Sequence, residues 1–137
     1  MSHKINIKIK KVLIVGLGLI GSSLCRDLKK NSSYEKIYGY DIDEDVMQYA
    51  LNSNYVHGIK KNLKEGIEDS DLIVLCVPVN VIKEVLNTAK YFFNGDKIFT
   101  DTLSSKRSIL NFLTDNNLLD TKNLILSHPM AGTENFG

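Results

Sequence analysis

No stretch of the sequence approaches the ~18–20 consecutive apolar residues that a membrane span needs. The N-terminus also lacks the apolar segment and small-residue cleavage site of a secretory signal. Cysteine is scarce: Cys25 and Cys76 stand far apart and form no Cys-x-x-Cys pair. Both lie inside apolar segments, so they read as buried free thiols of a reducing compartment. An excess of one charge is missing too, since 17 Lys and Arg against 16 Asp and Glu leave a net charge of +1. That balance argues against nucleic acid or an anionic membrane as a partner. There is no repeat, low-complexity tract or linker. The expectation is a soluble cytoplasmic protein with one domain over residues 1–137, and 43% hydrophobic residues suffice for an ordinary core.

What is present is a strict alternation of two patterns. The opening KINIKIKK alternates Ile5, Ile7 and Ile9 with Lys4, Lys8 and Lys10, a strand-like pattern with a solvated lysine face. KVLIVG (11–16) is a short β-branched run closed by glycine, as in a strand buried on both faces. Residues 20–30 suit a helix with Ile20, Leu24 and Leu28 on its inner face. KIYGYD (36–41) is a second strand, and residues 43–54 a helix with acids in its first turn and Val46, Met47, Ala50 and Leu51 inward. YVHG (55–58) suits a short strand, and DLIVLCV (71–77), closed by Pro78, an apolar one. A helix at 80–93, a strand at 97–101, a helix at 105–116 and a strand at 123–127 complete the order. Such alternation predicts an α/β fold: a mostly parallel, doubly wound sheet of Rossmann type with right-handed crossovers.

In such a sheet, ligands bind beyond the carboxyl ends of the strands. Five segments reach that edge, 16–21, 41, 77–79, 101–104 and 127–134, and nearly every unusual residue lies in one of them. GLGLIG (16–21) is a Gly-x-G-x-x-Gly turn between strand and helix. There Gly16 permits the turn, Gly18 admits a pyrophosphate, and Gly21 brings helix and strand together. With Leu19 and Ile20, they form a candidate phosphate site at a helix N-terminus. Asp41 lies 20 residues beyond Gly21, where an acid accepts hydrogen bonds from the adenosine ribose. Its carboxylate would repel a 2′-phosphate and no arginine follows it nearby, which favours NAD over NADP. The alternative role for Asp41 is capping the next helix, which Asp43 could fill equally well.

Pro78, beside Val77, is either a strand terminator or a wall of the cofactor site. Ahead of the helix at 105, Thr102, Ser104 and Ser105 compete for the N-cap, with Ser104 the first candidate. His128 follows a buried strand on the cofactor edge and is held by Pro129, a position suited to a general base. His3 and His57 receive no role, and no metal site is assigned.

The segments GLGLIGSSL, GYD, DLIVLCVPV, TDTLSSK and SHPMAGTE, in this order and spacing, resemble the prephenate/arogenate dehydrogenase family of tyrosine biosynthesis. The resemblance runs through nearly the whole chain, with HPMAGTE its most specific part. It implies oxidative decarboxylation of prephenate to 4-hydroxyphenylpyruvate with NAD+, this chain supplying the NAD-binding domain. It further implies that His128 takes the substrate hydroxyl's proton and that Ser104 orients histidine, substrate and nicotinamide. Thr133 and Glu134 would line the substrate mouth, while Val77, Pro78 and Asp101 join the cofactor-binding set. The family continues into a helical domain that forms a homodimer and supplies an arginine for the substrate carboxylates; neither lies within this chain. The isolated piece is therefore expected to bind NAD+ but to turn over little substrate. Arogenate, differing only at the side-chain amino group, is the alternative substrate, and a non-catalytic dinucleotide sensor the alternative class. Two departures stand out: Leu103 where the family usually has glycine, and Ser22 for a second glycine after the phosphate loop. The tail from about Thr133 is expected to be poorly ordered.

Overall fold

A computed structural model describes residues 8–31 and 34–126. The expectations for residues 4–7 of the lysine-faced segment, for His128, Thr133 and Glu134, and for the tail lie outside the described residues. Residues 8–10 are irregular.

Six strands form one sheet: β1 (Lys11–Val15), β2 (Lys36–Tyr40), β3 (Gly58–Ile59), β4 (Leu72–Leu75), β5 (Ile98–Asp101) and β6 (Leu124–Ile125). Their spatial order is β3-β2-β1-β4-β5-β6, and every pairing is parallel. The chain therefore winds outward from β1 in one direction, crosses back to β4, and winds outward in the other. This is the doubly wound order, with its switch point between β1 and β4.

Beyond Lys11 at the start of β1, the central strands β1 and β4 are apolar at every position because both of their faces are covered. In β1, Val12 and Ile14 pack with Cys25, Met47 and Ala50, while Leu13 and Val15 pack with Ile67, Ile82 and Leu86. Helices α1 (Leu19–Asn31) and α2 (Glu44–Asn52) thus cover one face. Helices α3 (Leu63–Glu68), α4 (Val79–Ala89) and α5 (Arg107–Asp115) cover the other. The period-2 alternation of side chains makes each strand serve both cores at once.

Several local expectations shift. The buried face of α1 is centred on Gly21 and Cys25, and Ile20 is 54% exposed. The helix begins at Leu19, so Ile20 is in its first turn, beyond the edge of the sheet that its later turns cover. The third strand starts at Gly58, because Tyr55 is tied to Ala50 by a turn hydrogen bond of 2.9 Å after Asn54 takes a positive φ of 64°. Helix α3 was not anticipated: its six residues are too short for a helical period to register. Its signal is the Asn-x-x-Glu pattern at its start, where the Asn62 side chain accepts the Glu65 amide at 3.2 Å. Cys25 is buried, whereas Cys76 is only half-buried.

Candidate functional site

The carboxyl ends of β1 and β4 lie side by side at the switch point, so the loops leaving them touch. Gly16 has a φ of +98°, and a Cβ there would stand 2.8 Å from the carbonyl oxygen of Cys76. Both the backbone conformation and the approach of β4's exit therefore require glycine. At Gly21 the reason is different: a Cβ would fall 1.8 Å from the carbonyl oxygen of Gly16. A helix can start this close to the strand it follows only if that position carries no side chain. Around Gly18 an added Cβ meets nothing within 4 Å, leaving an open concavity in front of the first turn of α1. First-turn amides have no intrahelical acceptor, and the helix dipole adds to them, so this is where an anion is stabilised.

Between the two fixed glycines, Leu17 is held at three points. Its side chain is buried, its amide donates to Asp41 Oδ2 at 2.8 Å, and its carbonyl accepts the Ser22 hydroxyl at 2.8 Å. Ser22, one of the two departures from the family pattern, thus adds a loop contact. Leu17 was not among the residues singled out from sequence, since a residue between glycines has no signature of its own.

Asp41, just past β2, accepts the Leu17 amide on one oxygen and the Asp43 amide on the other, at 2.9 Å. It does not cap α2. Asp43 does, its Oδ1 accepting the amides of Asp45 and Val46 at 2.9 and 3.4 Å. A carboxylate offers about four lone-pair sites, so two remain on Asp41 for further donors.

A cavity of ≈ 460 Å³ opens between these loops. Gly16, Gly18, Asp41 and Ile42 line one side and Cys76, Val77, Pro78 and Val81 the other. Pro78 lies three residues beyond the end of β4 and lines the cavity. Its carbonyl also accepts the Val81 amide at 2.9 Å, and α4 starts at Val79, one residue earlier than its pattern suggests. Ile42, which lines the cavity, is 77% exposed, and Leu19 and Ile20 in the first turn of α1 are 86% and 54% exposed. Burial pushes the Cys76 thiol up to about 11, the Asp101 charge adding to this and a hydrogen bond with Thr102 opposing it. Burial likewise pushes Cys25 up to about 12. Neither is a thiolate near neutrality.

Asp101, expected in the cofactor-binding set, is fully buried. Its Oδ2 accepts the Leu103 amide at 3.0 Å and the Lys106 ammonium at 2.5 Å, so its observed work is to shape the loop that follows β5. That loop runs longer than expected: α5 starts at Arg107, and Ser104 does not cap it. Ser105 comes nearest to that role, accepting the Arg107 amide at 3.4 Å, and Ser104 stays exposed at the loop's apex. Leu103 needs no left-handed backbone, because among the described residues only Gly16, Asn54 and Asn117 have positive φ. The family's glycine is therefore not required for this loop shape.

These features define a nucleotide-binding Rossmann domain: a glycine turn on a helix N-terminus, an acid at the end of β2, and an apolar cleft at the switch point. The family model for the nucleotide-binding domain of prephenate dehydrogenase matches residues 24–137, and the chain belongs to that family. It is 36% identical over 128 residues to a cyclohexadienyl dehydrogenase of Zymomonas mobilis, covering 93% of this chain and 43% of that one. It is also 36% identical over 130 residues to a prephenate dehydrogenase of Lactococcus lactis, covering 93% of this chain and 36% of that one. Among solved structures, a prephenate dehydrogenase of Aquifex aeolicus bound to hydroxyphenyl propionate and NAD+ superposes with a TM-score of 0.77 at 28% identity. That match covers 95% of this chain and 45% of the other. The chain thus spans less than half the length of the relatives it matches. The family and the NAD+ in that relative agree with the dinucleotide expectation for this edge. No described helix is long and apolar enough to cross a membrane.

Proposed function

We propose that this chain is the NAD-binding part of a dehydrogenase that oxidatively decarboxylates prephenate to 4-hydroxyphenylpyruvate. The observation that carries the reading is Asp41, which braces the glycine loop with one face of its carboxylate and keeps acceptor sites for a ribose. The residues fit the cofactor: the open concavity at Gly18 and the first turn of α1 would hold the pyrophosphate, and Asp41 the adenosine ribose hydroxyls. Val77, Pro78 and Ile42 would enclose the rest. Bound there, NAD+ supplies the hydride acceptor.

The chain's own residues then handle the proton and the geometry. His128 accepts the hydrogen bond and the proton of the substrate hydroxyl. Ser104 orients that imidazole and the hydroxyl relative to one another, and Thr133 and Glu134 line the mouth. Loss of the ring carboxylate as CO2 gives the aromatic product and makes the step effectively irreversible. On this reading two-fold assembly and an arginine for the substrate carboxylates would come from a helical domain of the kind the family resemblance implies. Arogenate is the second substrate to consider, since a Synechocystis arogenate dehydrogenase superposes with a TM-score of 0.62 at 26% identity.

The test is His128→Asn in the intact enzyme, followed by NADH formation and by NAD+ calorimetry. Turnover is expected to fall by about 10²–10⁴-fold with NAD+ affinity nearly unchanged. Unchanged turnover would favour a dinucleotide sensor. Prephenate and arogenate, assayed in parallel, are expected to differ in favour of prephenate.

A further inference from the structure

We propose that Lys106 is a positioning residue that holds Ser104 in its working place, acting through the buried carboxylate of Asp101 and the carbonyl of Leu103. The inference rests on the role given to Ser104 above.

Lys106 stands where a lysine has no local reason to be. It occupies the N-cap position of α5 without making a side-chain cap hydrogen bond. Caps are made by short oxygen-bearing side chains, and a cation at a helix N-terminus opposes the dipole. Its side chain is nevertheless only 17% exposed, folded beneath the loop instead of extending into water. What it meets there is specific. The ammonium donates to Asp101 Oδ2 and to the Leu103 carbonyl, both at 2.5 Å, while that same Asp101 oxygen accepts the Leu103 amide at 3.0 Å.

Both backbone polar groups of Leu103 are therefore held by one ion pair, and Ser104 is the next residue. The root of the loop is fixed separately, the Thr102 amide donating to the Leu75 carbonyl at 3.1 Å, and the Leu103 side chain packs on the core. Ser104 then projects from a short tied arc whose two ends converge on one oxygen. A buried ion pair is weak evidence for stability, because well-packed apolar residues of similar volume serve as well or better. Apolar residues could not hold the amide and carbonyl of Leu103, and it is that grip which sets where Ser104 sits.

The test is a double-mutant cycle in the intact enzyme with NAD+ and prephenate, reading kcat, KM and the NAD+ dissociation constant. Lys106→Met is expected to lower kcat by about 10–100-fold, the penalty of a displaced orienting group, and to leave NAD+ affinity unchanged. In the Ser104→Ala background the same substitution is expected to have no further effect, because the group it positions is already gone. Losses that multiply would overturn the proposal, since general loosening acts whether or not the serine is present. So would a change confined to NAD+ affinity. If Lys106→Met does not fold, Asp101→Asn with Lys106→Met removes both charges and leaves no buried carboxylate unpaired. That pair must show the same kcat loss and the same dependence on Ser104, and wild-type kcat in it sinks the idea. If Ser104→Ala alone leaves kcat intact, the role of the serine fails and the proposal falls with it. A kcat loss in Ser104→Ala with a multiplying Lys106 effect removes the proposal alone.

Discussion

The Asp41 carboxylate accepts the amide of Leu17 at 2.8 Å, joining the exit of β2 to the middle of the glycine turn that leaves β1. One side chain therefore shapes the glycine loop and lines the cleft proposed to take the ribose. Asp41→Ala removes a charge-assisted hydrogen bond worth about 1.5–3 kcal/mol and the ribose acceptors together. We expect a lower melting temperature and NAD+ binding weakened by more than about tenfold, read by thermal denaturation and calorimetry. A variant that loses stability but binds NAD+ normally would confine Asp41 to the loop.

Gly21 and Gly18 separate the two demands on the turn. Gly21→Ala places a methyl 1.8 Å from the Gly16 carbonyl, and backbone cannot yield as a flexible side chain would. Destabilisation of at least about 1–3 kcal/mol is expected, as for an overpacked core. Gly18→Ala meets nothing within 4 Å, so the melting temperature should hold while NAD+ affinity drops, the methyl filling the space a pyrophosphate needs. Equal loss of stability in the two variants would contradict this division.

The thiols offer a probe of the cleft. Cys76 lines it with a thiol held at about 11, and Cys25 is buried with a thiol at about 12. Both should react slowly with a thiol-specific reagent near neutral pH, since the thiolate is the reactive form. Saturating NAD+ should slow Cys76 further and leave Cys25 unaffected. Protection of neither residue would place the dinucleotide elsewhere.

His57, given no role from sequence, ties β3 to β2. Its Nδ1 accepts the Ile37 amide at 2.9 Å while its own amide donates to the Ile37 carbonyl at 2.8 Å. Partial burial and the charges of Lys29 and Lys36 hold its pKa below the ordinary 6.5. The unfolded chain thus binds this proton more readily than the folded one. Its contribution is full above pH 6.5 and falls away as pH drops below that toward the lowered native value. Urea midpoints between about pH 8 and 5 should show this decline, and His57→Leu should flatten it. An unaltered slope would assign it to other groups.

Much of the nucleotide site was legible because its signals are local. The turn of Gly16, Gly18 and Gly21 is a run of consecutive residues, and Asp41 ends a strand whose apolar pattern marks its limits. Elsewhere side-chain contacts outweigh the local pattern. Ile20 has helical spacing with Leu24 and Leu28 yet faces outward, because the sheet stops short of the first turn of α1. Ser104 looks like a cap, but Lys106 and Asp101 hold the loop two residues beyond it. Cys76 sits in an apolar run, yet that run ends at the cleft.

The sequence by itself determined the alternation of strand and helix, the two-sided burial of β1 and β4, and the position of the glycine turn. Each follows from periodicity and backbone conformation, which neighbouring residues settle among themselves. Only the tertiary structure decided that β4 and β2 flank β1, bringing Cys76 against Gly16 and Asp41 onto Leu17. Those contacts depend on strand order and crossover handedness. They are energies of the whole sheet, and no local stretch of sequence contains them.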